Sequence, residues 1–259
     1  MEIDITWLSG ELQNPFWYKR VAVLAKEVAE LSKTNRQVYE VVKEKIYDAF
    51  EEALLNGTVA LGDEIGIWDT ERVEVDQIIL HNTSNPPGIS RERLSAIELF
   101  RLYAPHYANP GSDRPITDGK PISSGHVRGK NQVFWPYHWM IHMDGTASRL
   151  LSDAEVGWQA GDWLTNCRSV AICLDGDFEN SYPNRGLIAA IARIICKRYR
   201  ELFERVTHRN QLGQIIRGHN EVKPERMLTC PSALFLSKDG RRGWKEDLLD
   251  IVYEEIQTN

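Results

Sequence analysis

Three positions carry metal-ligating side chains, two of them at strand ends. His81 closes the run I-I-L-H-N-T, His219 closes I-I-R-G-H-N, and Cys230 sits in T-C-P-S. A histidine leaving the end of a buried strand projects into the space over the sheet. Two neutral imidazoles and one thiolate make a Zn²⁺ shell whose fourth position stays open to water, the mark of a hydrolytic rather than a structural site. Spacing alone does not assemble them, because His81 precedes His219 by 138 residues. Taken singly, each histidine is better read as an ordinary hydrogen-bonded side chain. His138 and His142 share one face of a predicted strand by period-two alternation, which makes them structural or substrate-lining rather than a second metal site.

The elements that must position these groups fall in two parts. Residues 1–76 hold 16 acidic and 8 basic residues, whereas the remaining 183 hold 21 acidic and 23 basic. That asymmetry predicts an N-terminal helical region over 1–72 and a second domain over 73–259. The first part reads as a helical hairpin. Asn14-Pro15 predicts a helix start, and Trp17, Val21, Leu24, Val28 and Leu31 form one apolar stripe. Thr34-Asn35 interrupts, Val38, Val42, Ile46, Ala49, Phe50 and Ala53 form a second stripe, and Asn56-Gly57 supplies a stop. Two short helices cannot bury both stripes alone, so the hairpin packs on the rest of the chain or on a protein partner.

The second part alternates strand and helix signals. Val75–His81 and Ser169–Leu174 read as buried strands, Tyr137–His142 and Thr146–Leu151 as a hairpin about Asp144-Gly145, and Gln214–Gly218 as a short strand. Helical patterns cover Ser90–Tyr103, Asn184–Leu202 and Trp244–Ile256, and the Pro-, Gly- and Ser-rich stretch 105–130 reads as a loop. The expected fold class is α/β, a central mixed β-sheet flanked by helices and preceded by the helical hairpin.

Composition excludes several roles. A net charge of −6 and a pI near 5.7 argue against a general nucleic-acid or anionic-membrane binder. The apolar run Leu187–Ile195 is broken by Arg193 and falls far short of the roughly 20 residues of a membrane span. The start M-E-I-D-I-T has no basic or apolar leader, so the sequence predicts a protein without a signal peptide, made in the cytoplasm, whose site of action can still be the cell wall. Four cysteines in 259 residues are not a disulfide framework.

Read in order, I-I-L-H-N-T, P-Y-H-W-M-I-H-M-D-G-T, N-C-R-S-V-A-I-C-L-D-G-D-F and G-H-N-E-V-K-P-E-R-M-L-T-C-P-S resemble one family over about residues 75–236. It is that of the zinc-dependent N-acetylmuramoyl-L-alanine amidases, which includes bacteriophage lysozyme-type amidases and peptidoglycan recognition proteins. The resemblance implies Zn²⁺ on His81, His219 and Cys230, and a peptidoglycan or muropeptide substrate. It implies cleavage of the amide between N-acetylmuramic acid and L-alanine, and it places the catalytic tyrosine of the lysozyme-like branch on Tyr137. A phenol there can donate a hydrogen bond to the oxyanion that develops on the scissile carbonyl. A non-catalytic peptidoglycan-binding module on the same fold is the alternative.

Departures from the family pattern sharpen the expectations. Where members often carry His-Ala, this chain has Trp158-Gln159-Ala160, so Gln159 stands in for a substrate-side histidine. Cys173 occupies the strand position of the glutamate found in the recycling-type enzymes, which favours the tyrosine branch. Leu228 replaces the Lys or Thr common two positions before the third ligand, leaving Lys223, Arg226 or Thr229 to supply a donor. Asn166 matches an Asn-x-x-Ser pattern and is expected to bond backbone at the strand entrance. Trp135, Trp139, Trp158 and Trp163 crowd the expected cleft, as aromatic walls for a glycan-peptide ligand or as core.

Overall fold

The computed structural model describes residues 3–63, 68–110, 119–226 and 228–258. The chain forms two compact units, Met1–Thr70 with Ser90–Trp135, and Glu71–Ile89 with Pro136–Asn259. The units do not simply divide at residue 72, because 90–135 groups with the N-terminal helices.

The reason lies in the apolar stripes. In the first unit α1 (Leu8–Glu11), α2 (Tyr18–Thr34) and α3 (Arg36–Asn56) are followed by α4 (Arg91–Glu98), a π-helical turn and α5 (Ala104–Ala108). Helix α2 packs on α5 and α3 on α4, so both stripes are covered within this unit. Trp17 meets Phe50 at 5.4 Å between centroids, Phe50 meets Phe100 at 5.6 Å, and Tyr18 meets Tyr107 at 5.8 Å. Arg93 on α4 reaches Glu44, Asp48 and Glu51 along α3. Asn35 caps α3 through Val38 N, and Gly57 at φ 64° ends it. Asn14 does not start α2. Its Oδ1 accepts from Phe16 N in a turn, and the helix opens four residues later. Within 105–130 the expected loop also holds α5 and a small ribbon pairing Val127–Arg128 with Asn131–Gln132, while 111–118 lie outside the described residues.

In the second unit the strands are β1 (Gln77–Asn82), β2 (Trp139–Ile141), β3 (Ala147–Arg149), β4 (Ser169–Leu174) and β5 (Ile216–Gly218). Their order is β3-β2-β4-β1-β5, parallel throughout except for the β2–β3 hairpin, which makes the sheet mixed. Helices α6 (Trp163–Arg168), α7 (Arg185–Arg198), α8 (Leu212–Ile215) and α9 (Trp244–Thr258) complete the unit. Gln214 and Ile215, expected in the last strand, belong to α8.

Strand periodicity divides the sheet into two faces. Ile78, Leu80, Trp139, Ile141, Val170, Ile172 and Leu174 pack against Leu187, Ile191 and Ile195 of α7 and Trp244, Leu248 and Val252 of α9. Alternation sends Ile79 and His81, with Ala171 and Cys173, to the opposite face, where His81 and Cys173 are paired in register.

His138 is a pillar of that second face rather than a substrate contact. It is fully buried, its Nδ1 accepts from Ala171 N at 3.0 Å, and its Nε2 donates to Glu155 O at 3.0 Å. His142, likewise, bonds Asp175 and Ser148. Desolvation, with Arg72 adding to it, lowers the His138 pKa to about 3. Above about pH 6.5 folded and unfolded chains both hold this ring neutral. Below that, the unfolded chain takes a proton that the folded chain refuses until about pH 3, so stability falls as pH falls through this window. In urea unfolding, the stability difference between wild type and His138→Gln is expected to shrink by about 2 kcal/mol between pH 7 and pH 5. An unchanged difference would show that the ring is not held neutral.

Candidate functional site

His81, His219 and Cys230 converge. One ligating atom from each lies within 4.8 Å of the other two, the one such group of His, Cys, Asp or Glu among the described residues. The His81 and His219 rings are 4.7 Å apart between centroids, and Cys230 Sγ is 3.5 Å from His81 Nδ1.

The three residues are linked through their chain neighbours. Asn82, next to His81, donates from Nδ2 to Pro231 O beside Cys230 at 2.7 Å. Asn220, next to His219, donates its N–H to Cys230 O at 2.8 Å. Glu221 accepts from Gly218 N and pairs with Lys245 of α9, fixing the turn that follows β5. The strand ends and the loop carrying Cys230 are thus laced together by groups one residue removed from the ligating atoms.

Hydrogen bonding also selects which nitrogen of each ring faces inward. Ser169 Oγ donates to Thr165 O at 2.6 Å, so it accepts from Gln159 Nε2 at 2.8 Å. That turns Gln159 Oε1 toward His81 Nε2, at 2.6 Å. The proton on His81 is therefore on Nε2, and the Nδ1 lone pair faces the sulfur. His219 bonds the Ala160 backbone. Ala160 N is already given to Asn166 Oδ1, so the acceptor is Ala160 O. His219 Nε2 is buried with no hydrogen-bond partner. Burial, then the neighbouring His219, holds the His81 pKa well below the usual histidine value. Burial and Arg226 lower that of His219 to about 4. Two neutral imidazole lone pairs and a thiol, one of them an orphaned buried acceptor, are a donor set that fits a tetrahedral borderline-soft cation such as Zn²⁺.

The remaining candidates sort by geometry. The Tyr137 ring lies against His81, 5.1 Å between centroids. Among the three potential donors, Lys223 is drawn to Asp162 at 3.6 Å, and Thr229 donates to Glu179 at 2.9 Å. Arg226 lies beside the site: it acts electrostatically on His219, and its Nη1 would lie 2.6 Å from a Cβ at position 161. Glycine at 161, with φ +65°, leaves room for this guanidinium.

The other expected residues are placed as follows. Gln159 is buried, with its Oε1 toward His81. Asn166 is buried too and bonds backbone, as its pattern implied: its Oδ1 accepts from Gln159 N at 3.1 Å and Ala160 N at 2.8 Å. Trp158 is buried edge-on to Trp163, whose indole donates to Glu71. Trp139 donates to Tyr199 from the helix-covered face. Trp135 belongs to the first unit, buried with its indole donating to Arg91 O. These tryptophans are core rather than exposed walls. Sequence alone does not single out Asn82 or Gly161. Their contributions come from one amide and a missing Cβ, neither of which has a spacing signature.

Residues 71–233, which include His81, Tyr137, Gln159, His219 and Cys230, match the family described as N-acetylmuramoyl-L-alanine amidase. The chain belongs to that family. No curated protein sequence matches the chain. Among solved structures it is similar to the N-acetylmuramoyl-L-alanine amidase LysC from Clostridium intestinale, at 17% identity over 72% of this chain and 88% of that one, with a TM-score of 0.43. It is similar also to Drosophila peptidoglycan recognition protein SD, at 14% identity over 62% and 78%, TM-score 0.41. A third is the Ph2119 endolysin from a Thermus scotoductus bacteriophage, at 15% identity over 70% and 86%, TM-score 0.42. Among the described residues no helix is long and apolar enough to cross a membrane.

In this family member the site thiol is chemically distinguishable from the rest. Cys230 is half-buried, while Cys167, Cys173 and Cys196 are buried, and burial pushes the Cys167 and Cys196 thiols up to about 11. Metal-free protein treated with a thiol-specific reagent near neutral pH is expected to show one fast-reacting cysteine. Peptide mapping should place it at Cys230, and Cys230→Ala should remove the fast phase. Fast labelling at any other cysteine would contradict this placement.

Proposed function

We propose that this protein is a zinc amidase that hydrolyses the amide between N-acetylmuramic acid and the L-alanine of the stem peptide in peptidoglycan or muropeptides. The observation that carries this is the convergence of His81, His219 and Cys230 inside the segment that matches the amidase family. Zn²⁺ would be held by His81 Nδ1, His219 Nε2 and Cys230 Sγ. When bound, it supplies Lewis acidity, to the scissile carbonyl and to the attacking water alike.

The chain's own groups do the rest. Tyr137, packed on His81, donates its phenolic proton as a hydrogen bond to the oxygen of the scissile carbonyl as negative charge grows there. Arg226 places a cation beside His219, where it stabilises the same charge or grips a carboxylate of the stem peptide. Lys223, held toward Asp162, takes no part.

Purified protein is expected to contain about one zinc per chain, lost in His81→Ala and Cys230→Ala, and to release stem peptide from peptidoglycan or muropeptides. Zinc should also protect Cys230 from the thiol reagent. Tyr137→Phe should keep its zinc and lose about 10²–10³ in kcat. Arg226→Ala should lose about tenfold or more in kcat/KM, with Lys223→Ala near wild type. Zinc-loaded protein that binds peptidoglycan but releases nothing would refute the amidase and favour a recognition module.

A further inference from the structure

Gln159 and Ala160 are adjacent in sequence, and each serves a different ligating histidine. The side chain of the first bonds His81 Nε2, and the carbonyl of the second accepts from His219. Both residues give their backbone N–H groups to a single acceptor, Asn166 Oδ1. Asn166 is fixed in turn, because α6 is capped by Asp162 and Arg72 donates to both Asn166 O and Ser169 O, at 3.0 and 2.8 Å. The amide of Gln159 cannot turn over, because Ser169 offers it only a lone pair.

We propose that Gln159 is a positioning residue that locks His81 in the Nε2–H tautomer, and that the Gln159–Ala160 segment, hung on Asn166, sets the metal affinity of the site. The proposal rests on the zinc-binding function argued above. A ligating histidine whose far nitrogen has no acceptor is free to rotate and to change tautomer, and losing such a partner typically weakens metal binding ten- to a hundredfold. The position thus does not lack a substrate-binding histidine; it holds a residue that serves the metal ligands.

The test is the zinc dissociation constant, measured by competition with a chromophoric chelator on the full chain, with thermal unfolding of the metal-free protein as a fold control. Gln159→Leu is expected to weaken zinc binding by about ten- to a hundredfold. Gln159→Glu keeps an oxygen for His81 Nε2 and should bind zinc within about threefold of wild type, or tighter. A purely structural role for Gln159 predicts the opposite ranking, because a carboxylate at this buried position disturbs packing at least as much as leucine does. Wild-type affinity in Gln159→Leu, or equal weakening in both variants, would overturn the proposal. Should Gln159→Leu fail to fold, Gln159→Asn, one methylene too short to reach the ring, replaces it with the same expected loss. A wild-type protein that binds no zinc would sink the amidase function itself, whereas a zinc-binding wild type with an unaffected Gln159→Leu would sink only this inference.

Discussion

A polar ring on a strand with no solvent on either face constrains the whole second unit. Strand β1 runs between β4 and β5 and is buried along almost its full length, yet its penultimate residue is His81. An imidazole so placed must find a partner for its N–H or forfeit a hydrogen bond in a low-dielectric setting. The structure meets that demand with Gln159, and meets the demand created by Gln159 with Ser169, whose own proton goes to Thr165 O. The chain of bonds ends on backbone at α6. Through Asn166 the same helix holds the loop that serves His219.

Three buried or half-buried histidines in this unit obey one chemistry and part ways at a single atom. Each gives one ring N–H to an oxygen: Gln159 Oε1 for His81, Glu155 O for His138, and Ala160 O for His219. Burial keeps all three neutral, since it penalises the charged form most. The second nitrogen decides the role. In His138 it takes the N–H of Ala171, which leaves nothing to offer a ligand. In His219 it has no hydrogen-bond partner, and in His81 it faces a sulfur at 3.5 Å. Candidate ligand and pillar therefore differ by which group occupies one lone pair, not by residue type or depth.

That distinction explains what was legible in the sequence. Strand β4 spans the predicted residues Ser169–Leu174, and the apolar stripes of α2 and α3 are the buried faces, because periodicity records which side meets the core. His81 and His219 were legible as metal-ligating types at strand ends and Cys230 as a third ligating type, and their convergence was expected from the ordered family segments. The tryptophans were not legible as core, since an indole suits a cleft wall and a packed interior equally, and only partners such as Tyr199 or Glu71 decide. Nor was the grouping of 90–135 with the N-terminal helices. It depends on α4 and α5 covering both stripes, a long-range pairing that local pattern does not encode. Gln159 was legible only as a missing histidine, because its value lies in a hydrogen bond across 78 residues.

The choice of a neutral amide behind His81 carries an electrostatic consequence. A carboxylate at that position would make the ring a more basic ligand, but would add a second negative charge beside the thiolate of Cys230. With Gln159 the donor set would bring to the proposed zinc only the single negative charge of the sulfur, so the centre would retain a net positive charge. Arg226, accommodated by the missing Cβ of Gly161 and acting on His219 from the side, adds to that field. In the proposed amidase, ligand strength would thereby be exchanged for a centre biased toward developing negative charge, which is the charge that attack on an amide carbonyl creates. The geometric clamp of Gln159, Ala160 and Asn166 offsets the loss, holding by orientation what a weaker base would otherwise give up in affinity.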